Sequence, residues 1–185
     1  MVADADGALG PGAAPHPSVL FRLSGSTASG TPIRLPLARK NNRIGTEIDV
    51  GGTKIFVQWT LARHGTLATA AAASTIALVN GGKLSGEARQ QSIRFGVERP
   101  VRSLTLARPL IIGPLTLLSL DARISDYGTV SGVADADIDP TEIVVTATER
   151  PKTAPDLSLT LGRDAMRGCS SIEFDKVRQH IVLTC

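Results

Sequence analysis

The fold class follows from one segment, Thr46-Glu-Ile-Asp-Val-Gly-Gly-Thr-Lys-Ile-Phe-Val-Gln-Trp-Thr-Leu61. On both sides of Gly51-Gly52 the apolar residues recur with a period close to two, which is typical of a half-buried β-strand. Glycine adopts positive φ angles without strain, so the Gly-Gly pair fits a two-residue hairpin turn. The segment therefore predicts an antiparallel β-hairpin.

The same period recurs along most of the chain. It predicts further short strands at 19–23, 33–37, 91–95, 101–106, 110–112, 115–124, 143–148, 157–161, 171–174 and 180–183. Two segments differ: the alanine-dense residues 67–79, which stop at Asn80-Gly81-Gly82, predict a helix, and residues 164–167 predict a second short one. Many short strands with frequent turns are typical of an all-β barrel or sandwich.

Composition and charge exclude several classes of protein. The chain has 185 residues, 42% apolar and 20% charged, which is ordinary for one compact domain and argues against disorder or a coiled coil. Twenty basic residues against seventeen acidic ones leave a net charge of +3, and six aromatic residues cannot interleave a basic surface. We therefore expect no nucleic-acid partner. No apolar run approaches the roughly 20 residues of a membrane span, so we expect no transmembrane segment.

The chain is expected to form a single domain, residues 18–185, behind a flexible tail, residues 1–17. The tail has neither the basic n-region nor the apolar h-region of a secretory signal, so no signal peptide is present as written. Residues 133–155, which are rich in Asp and Pro, are expected to form a long inserted excursion from the domain.

The two cysteines lie where one hairpin would bring them together. If 171–174 pairs with 180–183, Cys169 continues the first strand and falls close to Cys185. Directly opposed side chains on paired strands lie about 4.5–5.5 Å apart at Cβ, within reach of a disulfide after small adjustment. A disulfide implies an oxidising compartment and favours a periplasmic or secreted mature domain. The alternatives are two independent buried thiols and a cytosolic protein with a loose N-terminus.

Two further segments matter for function. Leu159-Thr-Leu-Gly-Arg-Asp-Ala-Met-Arg-Gly-Cys-Ser-Ser-Ile-Glu-Phe-Asp175 combines an apolar strand, Gly-Arg-Asp, a short predicted helix and a terminal strand. In residues 50–67 a Gly-Gly hairpin leads through one strand to a loop and a Thr-Leu strand. Together the two segments resemble the retropepsins, the single-lobe aspartic proteases that include retroviral protease. The resemblance covers about residues 45–185 and implies a closed β-barrel with one or two short helices. It also implies a cleft that binds an extended peptide as an added strand.

The resemblance places Thr60 where the family has its catalytic aspartate, with Leu61 and Ala62 at the Thr and Gly that follow. A retropepsin dimer needs one Asp from each subunit, because two carboxylates about 3 Å apart share the proton used in activating water. A threonine hydroxyl does not titrate near pH 7 and cannot act as that base. The resemblance therefore implies a bacterial pseudoprotease, a catalytically degenerate member.

Two aspartates offer alternative positions for a catalytic carboxylate. Asp49 is the fallback, since Asp49-Val-Gly-Gly superficially resembles Asp-Thr-Gly-Ala. In that register, however, Glu47 takes a place that should be apolar, and the Gly-Gly pair is explained more simply as a hairpin turn. Asp126-Tyr-Gly is a second Asp-x-Gly motif, but it lies about half a domain beyond the expected place. A surface turn explains both motifs without chemistry.

Arg163 and His64 are the candidate binding residues. By the resemblance, Arg163 matches an arginine that forms an ion pair at the base of the cleft, but His64 occupies the position of its aspartate partner. Asp164 or a backbone carbonyl is the expected substitute, since a buried Arg needs an acceptor. The three histidines show no metal-ligand spacing, and no phosphate-binding loop occurs, so we expect neither metal nor cofactor.

Three hypotheses for function follow. The first is a catalytically degenerate, retropepsin-like periplasmic module that binds a peptide or protein segment, or acts as a scaffold, through the cleft. The second is an active homodimeric aspartic endopeptidase with its Asp at an unexpected position. The third is an unrelated β-sandwich without a cleft. A terminal strand tied down by a disulfide would favour a monomer or an unfamiliar dimer, because dimers of the family pair their terminal strands between subunits.

Overall fold

The computed structural model describes residues 10–23, 30–94, 97–126 and 154–185. Within these ranges the protein is all-β, as predicted, with twelve strands and one helix. The strands are β1 (Ser18–Arg22), β2 (Pro32–Pro36), β3 (Ala38–Lys40), β4 (Arg43–Val50), β5 (Thr53–Trp59), β6 (Leu67–Ala68), β7 (Gly82–Arg94), β8 (Val97–Ile112), β9 (Leu115–Arg123), β10 (Ser158–Leu161), β11 (Ser171–Asp175) and β12 (His180–Thr184), and the helix is α1 (Ala70–Asn80). The predicted strand at 143–148, nearly all of the predicted excursion at 133–155 and residues 1–9 of the predicted tail lie outside these ranges.

The hairpin predicted from residues 46–61 is formed by β4 and β5 and is confirmed. The two strands pair antiparallel, with Ile48 opposite Ile55. The turn glycines, Gly51 and Gly52, have φ angles of 61° and 83°, which a β-branched residue would adopt only with strain. Ile55 is fully buried, so the alternating pattern places one face of the hairpin in the core.

Helix α1 confirms the predicted alanine-dense helix but begins three residues later than expected. Thr69 caps its N-terminus by accepting the Ala72 amide through the side-chain hydroxyl, and Gly81 ends it in the left-handed region with φ 69°. Residues 67–68 form β6 instead, because they pair with β10 on one side and with β9 on the other. Sheet pairing therefore overrides the local helix propensity at Leu67.

The second helix predicted at 164–167 is wrong. The segment makes successive three-residue turns, in which Met166 N donates to Arg163 O at 3.2 Å and Arg167 N donates to Asp164 O at 3.3 Å. Only five residues separate the glycines on either side of it, too few to offset the cost of nucleating a helix. The described part of the chain has one helix only.

The strands form two open sheets, so the closed barrel implied by the resemblance is wrong as a description of the sheets. The larger sheet has the order β3-β4-β5-β10-β6-β9-β8-β7, and the smaller has the order β1-β11-β12-β2. Closure would require β3 and β7 to pair, and in the described residues they do not. The core is enclosed by α1 and the smaller sheet instead, because one apolar cluster joins Ile76 of α1, Leu104 of β8, Val57 of β5 and Leu183 of β12.

The position of β10 brings two loops together. β10 lies between β5, to which it is parallel, and β6, to which it is antiparallel. The β5–β6 loop (residues 60–66) therefore meets the segment that follows β10 (residues 162–164), and Thr60 N donates to Leu161 O at 2.9 Å. Gly162 lies at the closest approach, since a Cβ atom there would be 2.2 Å from a carbonyl oxygen of the β5–β6 loop.

The smaller sheet holds the end of the chain. β11 and β12 pair in the predicted register, with Phe174 opposite Ile181, and a disulfide joins Cys169 to Cys185 as that register predicts. β12 also pairs with β2, so both edges of the terminal strand are occupied within the subunit.

Residues 10–17 of the predicted tail contact the domain. Lys176 N donates to Pro17 O at 2.9 Å, and Gly12 lies against the side chain of Ile44. No helix among the described residues is long and apolar enough to span a membrane.

Candidate functional site

A cavity of about 440 Å³ lies beside the end of β5 and is the candidate site. Its walls come from β5, the β5–β6 loop, β10, the start of β4, the ends of β7 and β9, and residues 10–12. The side chains that line it are mainly polar, and they include Asn42, Arg43, Gln58, Trp59, Thr60, Arg63, Thr69, Arg123, Asp156, Ser158 and Thr160. Three arginines face one aspartate, so the cavity carries net positive charge.

Thr60 lines this cavity directly after β5. Its hydroxyl oxygen accepts the Ala62 amide at 3.3 Å, which shapes the turn that follows the strand. Leu61 packs partly buried against the core, and Ala62 is exposed. Thr60, Leu61 and Ala62 thus form a turn that places a hydroxyl, and no carboxylate, on the cavity wall.

Arg163 and His64 lie on two segments that are joined by backbone hydrogen bonds, and no hydrogen bond links the two residues to each other within the described part of the chain. Arg163 N donates to Arg63 O at 3.0 Å, and Asp164 N donates to His64 O at 3.0 Å. Both predicted binding side chains are exposed, and neither lines the cavity. Arg163 makes no ion pair among the described residues.

The hydroxyl of Thr66 joins the β5–β6 loop to the segment that follows β10, where the side chain of Arg163 was expected to form an ion pair. Thr66 donates through its hydroxyl to a carboxylate oxygen of Asp164 at 3.1 Å and accepts the Gly162 amide at 3.2 Å. Thr66 is buried, so its hydroxyl links the two segments where an ion pair of Arg163 was expected.

The two alternative aspartates lie at structural positions. Asp49 is exposed in the β4–β5 turn, where its carboxylate accepts the Gly52 amide at 2.9 Å. Asp126 accepts the Ala71 amide in the first turn of α1 at 3.0 Å and pairs with Arg123 at 3.1 Å. Neither aspartate lines the cavity.

Arg63 reaches from the β5–β6 loop to the end of β7. Its Nη2 atom donates to the carbonyl oxygens of Ser92 at 2.8 Å and Ile93 at 3.0 Å. Burial lowers the pKa of the guanidinium; Asp121 acts in the opposite direction, and the neighbouring charge of Arg123 lowers the pKa further. Two like charges therefore lie close together on one side of the cavity.

Three residues of the cavity wall each carry a buried donor that has no hydrogen-bond acceptor among the described residues: Trp59 Nε1, Arg63 Nη1 and Arg123 Nε. A buried donor without an acceptor costs about 1–3 kcal/mol, so unpaired donors around one cavity are unusual in a folded protein. Sequence reasoning missed these residues, because only Trp59 and Arg63 are near in the chain and Arg123 joins them through the β6–β9 pairing. The one available signal in the sequence was Arg63, which directly follows Thr60, Leu61 and Ala62.

The opposite wall of the cavity is electrostatically satisfied. Asp156 accepts from Lys40 Nζ at 2.6 Å and from the Ser158 hydroxyl at 2.6 Å, and Arg43 lies 3.7 Å away. Burial alone would raise the pKa of Asp156, but these hydrogen bonds and charges together hold it below its ordinary value. Asp156 is therefore an ionised, fully engaged carboxylate.

Within the described residues of one chain, the cavity does not present a pair of carboxylates. Asp156 is the sole carboxylate lining the cavity in the part of the chain that the structure describes, and it is bound to cations. Within the same residues, no group of three His, Cys, Asp or Glu side chains could hold a metal ion. What the cavity does offer is a set of hydrogen-bond donors and positive charge.

No family model matches the sequence, and no curated protein or solved structure gives a significant match to it. The fold and the geometry of the cavity are therefore the basis for a proposal about function.

Proposed function

We propose that this chain is a catalytically inactive domain of the retropepsin type that binds an extended peptide segment and does not cleave it. The observation that carries the proposal is that Thr60, which the resemblance places at the position of the family's catalytic aspartate, lies on the cavity wall with a hydroxyl. Peptide hydrolysis by an aspartic dyad needs a carboxylate at this place in each subunit. A hydroxyl there leaves a cleft that can bind but has no general base.

The packing of Gly162 supports the retropepsin-like part of the proposal. The resemblance rests on Gly162-Arg163-Asp164, which should lie behind the loop that carries the catalytic motif. Gly162 is indeed buried against that loop, close to the carbonyl oxygens of His64 and Gly65. The long β7–β8 hairpin, of 13 and 16 residues, has the length of an element that could cover a bound peptide.

An unpaired sheet edge supports binding of an extended peptide. β7 is an outer strand of the larger sheet, so one of its edges offers backbone N–H and C=O groups to an added strand. Ile93, near the end of β7, lines the cavity. A peptide added along β7 would therefore carry some of its side chains over the cavity.

The disulfide supports a periplasmic or secreted location, because such bonds persist in oxidising compartments. The alternative function is an active homodimeric aspartic endopeptidase that uses Asp49. The exposed position of Asp49 in a turn, with its carboxylate bound to the Gly52 amide, favours the inactive domain.

Two measurements on one peptide library test the proposal. Cleavage is followed by mass spectrometry between about pH 3 and pH 7, with and without a pepstatin-type inhibitor. Binding is followed by hydrogen exchange, which reports protection of individual backbone amides. We expect no turnover and new protection along β7 and the β5–β6 loop. Inhibitor-sensitive turnover that disappears in Asp49→Asn would establish the endopeptidase, and absence of both turnover and protection would overturn peptide binding.

A further inference from the structure

We propose that the cavity is a carboxylate-binding pocket in which Trp59, Arg63 and Arg123 hold an acidic group of the bound peptide. This rests on the proposed function and specifies the chemistry of the segment that the domain recognises. The carboxylate comes either from an acidic side chain or from a chain terminus, and both sources present the same planar anion.

The first argument is the set of unpaired donors. Trp59, Arg63 and Arg123 line one cavity, and each carries a buried donor, Trp59 Nε1, Arg63 Nη1 and Arg123 Nε, that has no acceptor among the described residues. Folding rarely leaves such groups without partners, so a ligand that accepts hydrogen bonds is the economical explanation. A carboxylate accepts at two oxygens with about four lone-pair sites, enough for several donors at once.

The second argument is the charge on this side of the cavity. Arg63 has no salt-bridge partner within the described residues, and the nearby charge of Asp121 is already paired with Arg89 at 2.5 Å. Arg123 is paired with Asp126 at 3.1 Å, but its Nε atom is left without an acceptor. Three guanidinium groups, of Arg63, Arg89 and Arg123, thus lie near two carboxylates, those of Asp121 and Asp126, and an added anion stabilises a cluster with such an excess of positive charge.

The third argument is the position of Thr60 on the same cavity wall. An aspartate at this position would add a negative charge next to the guanidinium groups and repel an acidic ligand. A threonine removes that charge and keeps a hydroxyl, which can donate to a carboxylate. The substitution that abolishes the catalytic carboxylate thus makes the cavity suitable for an anionic group.

The size of the cavity fits the same class of ligand. Its volume of about 440 Å³ is at the lower end of the range for small-ligand pockets, so it holds one side chain with its flanking backbone. Arg guanidinium groups bind carboxylates through parallel N–H···O bonds, which gives orientation as well as affinity.

The chain contains a single Trp, so the Trp59 indole N–H gives one resonance that reports on the pocket. Three short alanine-based peptides serve as probes: one with a central Glu and blocked termini, one with a free C-terminal carboxylate, and one with a central Gln and blocked termini. We expect the indole resonance to shift and saturate with one or both of the carboxylate peptides and not with the Gln peptide. Arg63→Gln and Arg123→Gln should each weaken that binding by roughly 10–100-fold.

Arg167→Gln is the matched control, because Arg167 is exposed and does not line the cavity. The affinity of Arg167→Gln for the carboxylate peptides should stay within about twofold of that of the parent protein. If Arg63→Gln fails to fold, Thr60→Asp takes its place, since it adds a charge to the wall and removes no donor. Thr60→Asp should weaken the acidic probe at least about tenfold, whereas Thr60→Asn should not.

Four outcomes would overturn the carboxylate pocket. They are equal binding of the Glu and Gln peptides, no binding of either carboxylate peptide, sulfate binding as tight as that of the carboxylates, or unchanged affinity in the Arg63 and Arg123 variants. Equal binding of the Glu and Gln peptides with protection along β7 would leave the proposed peptide function standing. Saturation by the carboxylate peptides, with no protection along β7, would support the pocket and overturn peptide binding along that strand.

Discussion

Gly162 lies where the β5–β6 loop and the segment after β10 approach most closely, and its lack of a side chain permits this approach. A Cβ atom at this position would lie 2.2 Å from His64 O and 2.5 Å from Gly65 O, and backbone atoms cannot move aside as a flexible side chain can. Gly162→Ala should therefore lower the free energy of unfolding by at least about 2 kcal/mol, as measured by urea denaturation. Gly168→Ala is the control, because a Cβ atom there meets nothing within 4 Å and the residue has no positive φ. If Gly168→Ala lowered the free energy of unfolding by as much, the close backbone contact at Gly162 would not be the cause of the loss.

Asp156 makes stability depend on pH in a defined direction. Its pKa is lowered in the folded protein, so its stabilising contribution is fully present above the unfolded pKa of about 3.9 and is lost as pH falls through the folded value. Because 44% of its side chain is exposed, solvent screens the ion pairs and the contribution at neutral pH is at most about 1 kcal/mol.

Comparison with Asp156→Asn isolates this effect. The pKa of Asp175 is also lowered, chiefly by the hydrogen bond from the Arg178 amide, and its titration is common to both proteins. We expect the parent protein to be the more stable at pH 7 and the difference to shrink as the pH falls below the unfolded pKa of about 3.9, in urea denaturation from pH 7 down to about pH 2. A difference that stays constant down to that pH would show that the charge of Asp156 contributes nothing.

Helix α1 is joined to the sheet through its N-cap. The Thr69 hydroxyl accepts the Ala72 amide at 3.3 Å and the Ser158 amide at 3.1 Å, and donates to Asp156 O at 2.5 Å. Thr69→Ala removes the cap and leaves buried backbone groups of β10 unpaired. It should cost about 1–3 kcal/mol in thermal or urea unfolding, whereas Thr69→Ser, which keeps the hydroxyl, should cost less than about 1 kcal/mol. Equal losses of stability in Thr69→Ala and Thr69→Ser would show that the methyl group of Thr69, and not its hydroxyl, is responsible.

Elements with a strong local cause could be predicted from the sequence, and those set by distant pairing could not. Gly51-Gly52 forces a turn, and Gly81 stops α1, so the β4–β5 hairpin and the alanine-dense helix were both predictable. Residues 67–68 have the same local preference as the helix that follows, yet they form β6 because both neighbouring strands pair with them. The polar cavity could not be predicted from the sequence for the same reason, since Arg63 and Arg123 become neighbours only through the pairing of β6 with β9.

The overall arrangement of the sheets was the least predictable feature. Alternation along each strand identifies a buried face but does not say whether the outer strands of a sheet meet. Here α1 and the smaller sheet cover the apolar face of the larger one, so β3 and β7 stay apart and no barrel closes. In contrast, the pairing of Cys169 with Cys185 depends only on one local hairpin, and for that reason it was within reach of the sequence.

The disulfide stabilises the whole molecule by restricting its unfolded state. The bridge closes a loop with a sequence separation of 16, for which the loss of loop entropy corresponds to about 3 kcal/mol. Reduction with dithiothreitol, or the double substitution Cys169→Ser and Cys185→Ser, should lower the free energy of unfolding by roughly 2–4 kcal/mol. The serine variant in the presence and absence of reductant is the control, since it should not respond. An unchanged midpoint after complete reduction would contradict the prediction.

The pairing of the terminal strand predicts a monomer. A retropepsin-type dimer needs terminal strands that are free to pair between subunits, but β12 is paired with β11 on one side and with β2 on the other. β2 forms one outer edge of that sheet and carries Pro32 and Pro36, which have no N–H to offer a second copy. Light scattering coupled to size-exclusion chromatography should therefore give the monomer mass of 19.3 kDa at every concentration tested. A mass that doubles with concentration would contradict this. A dimer that forms only when a pepstatin-type inhibitor is added would favour the active endopeptidase, because only that alternative builds its catalytic site from two chains.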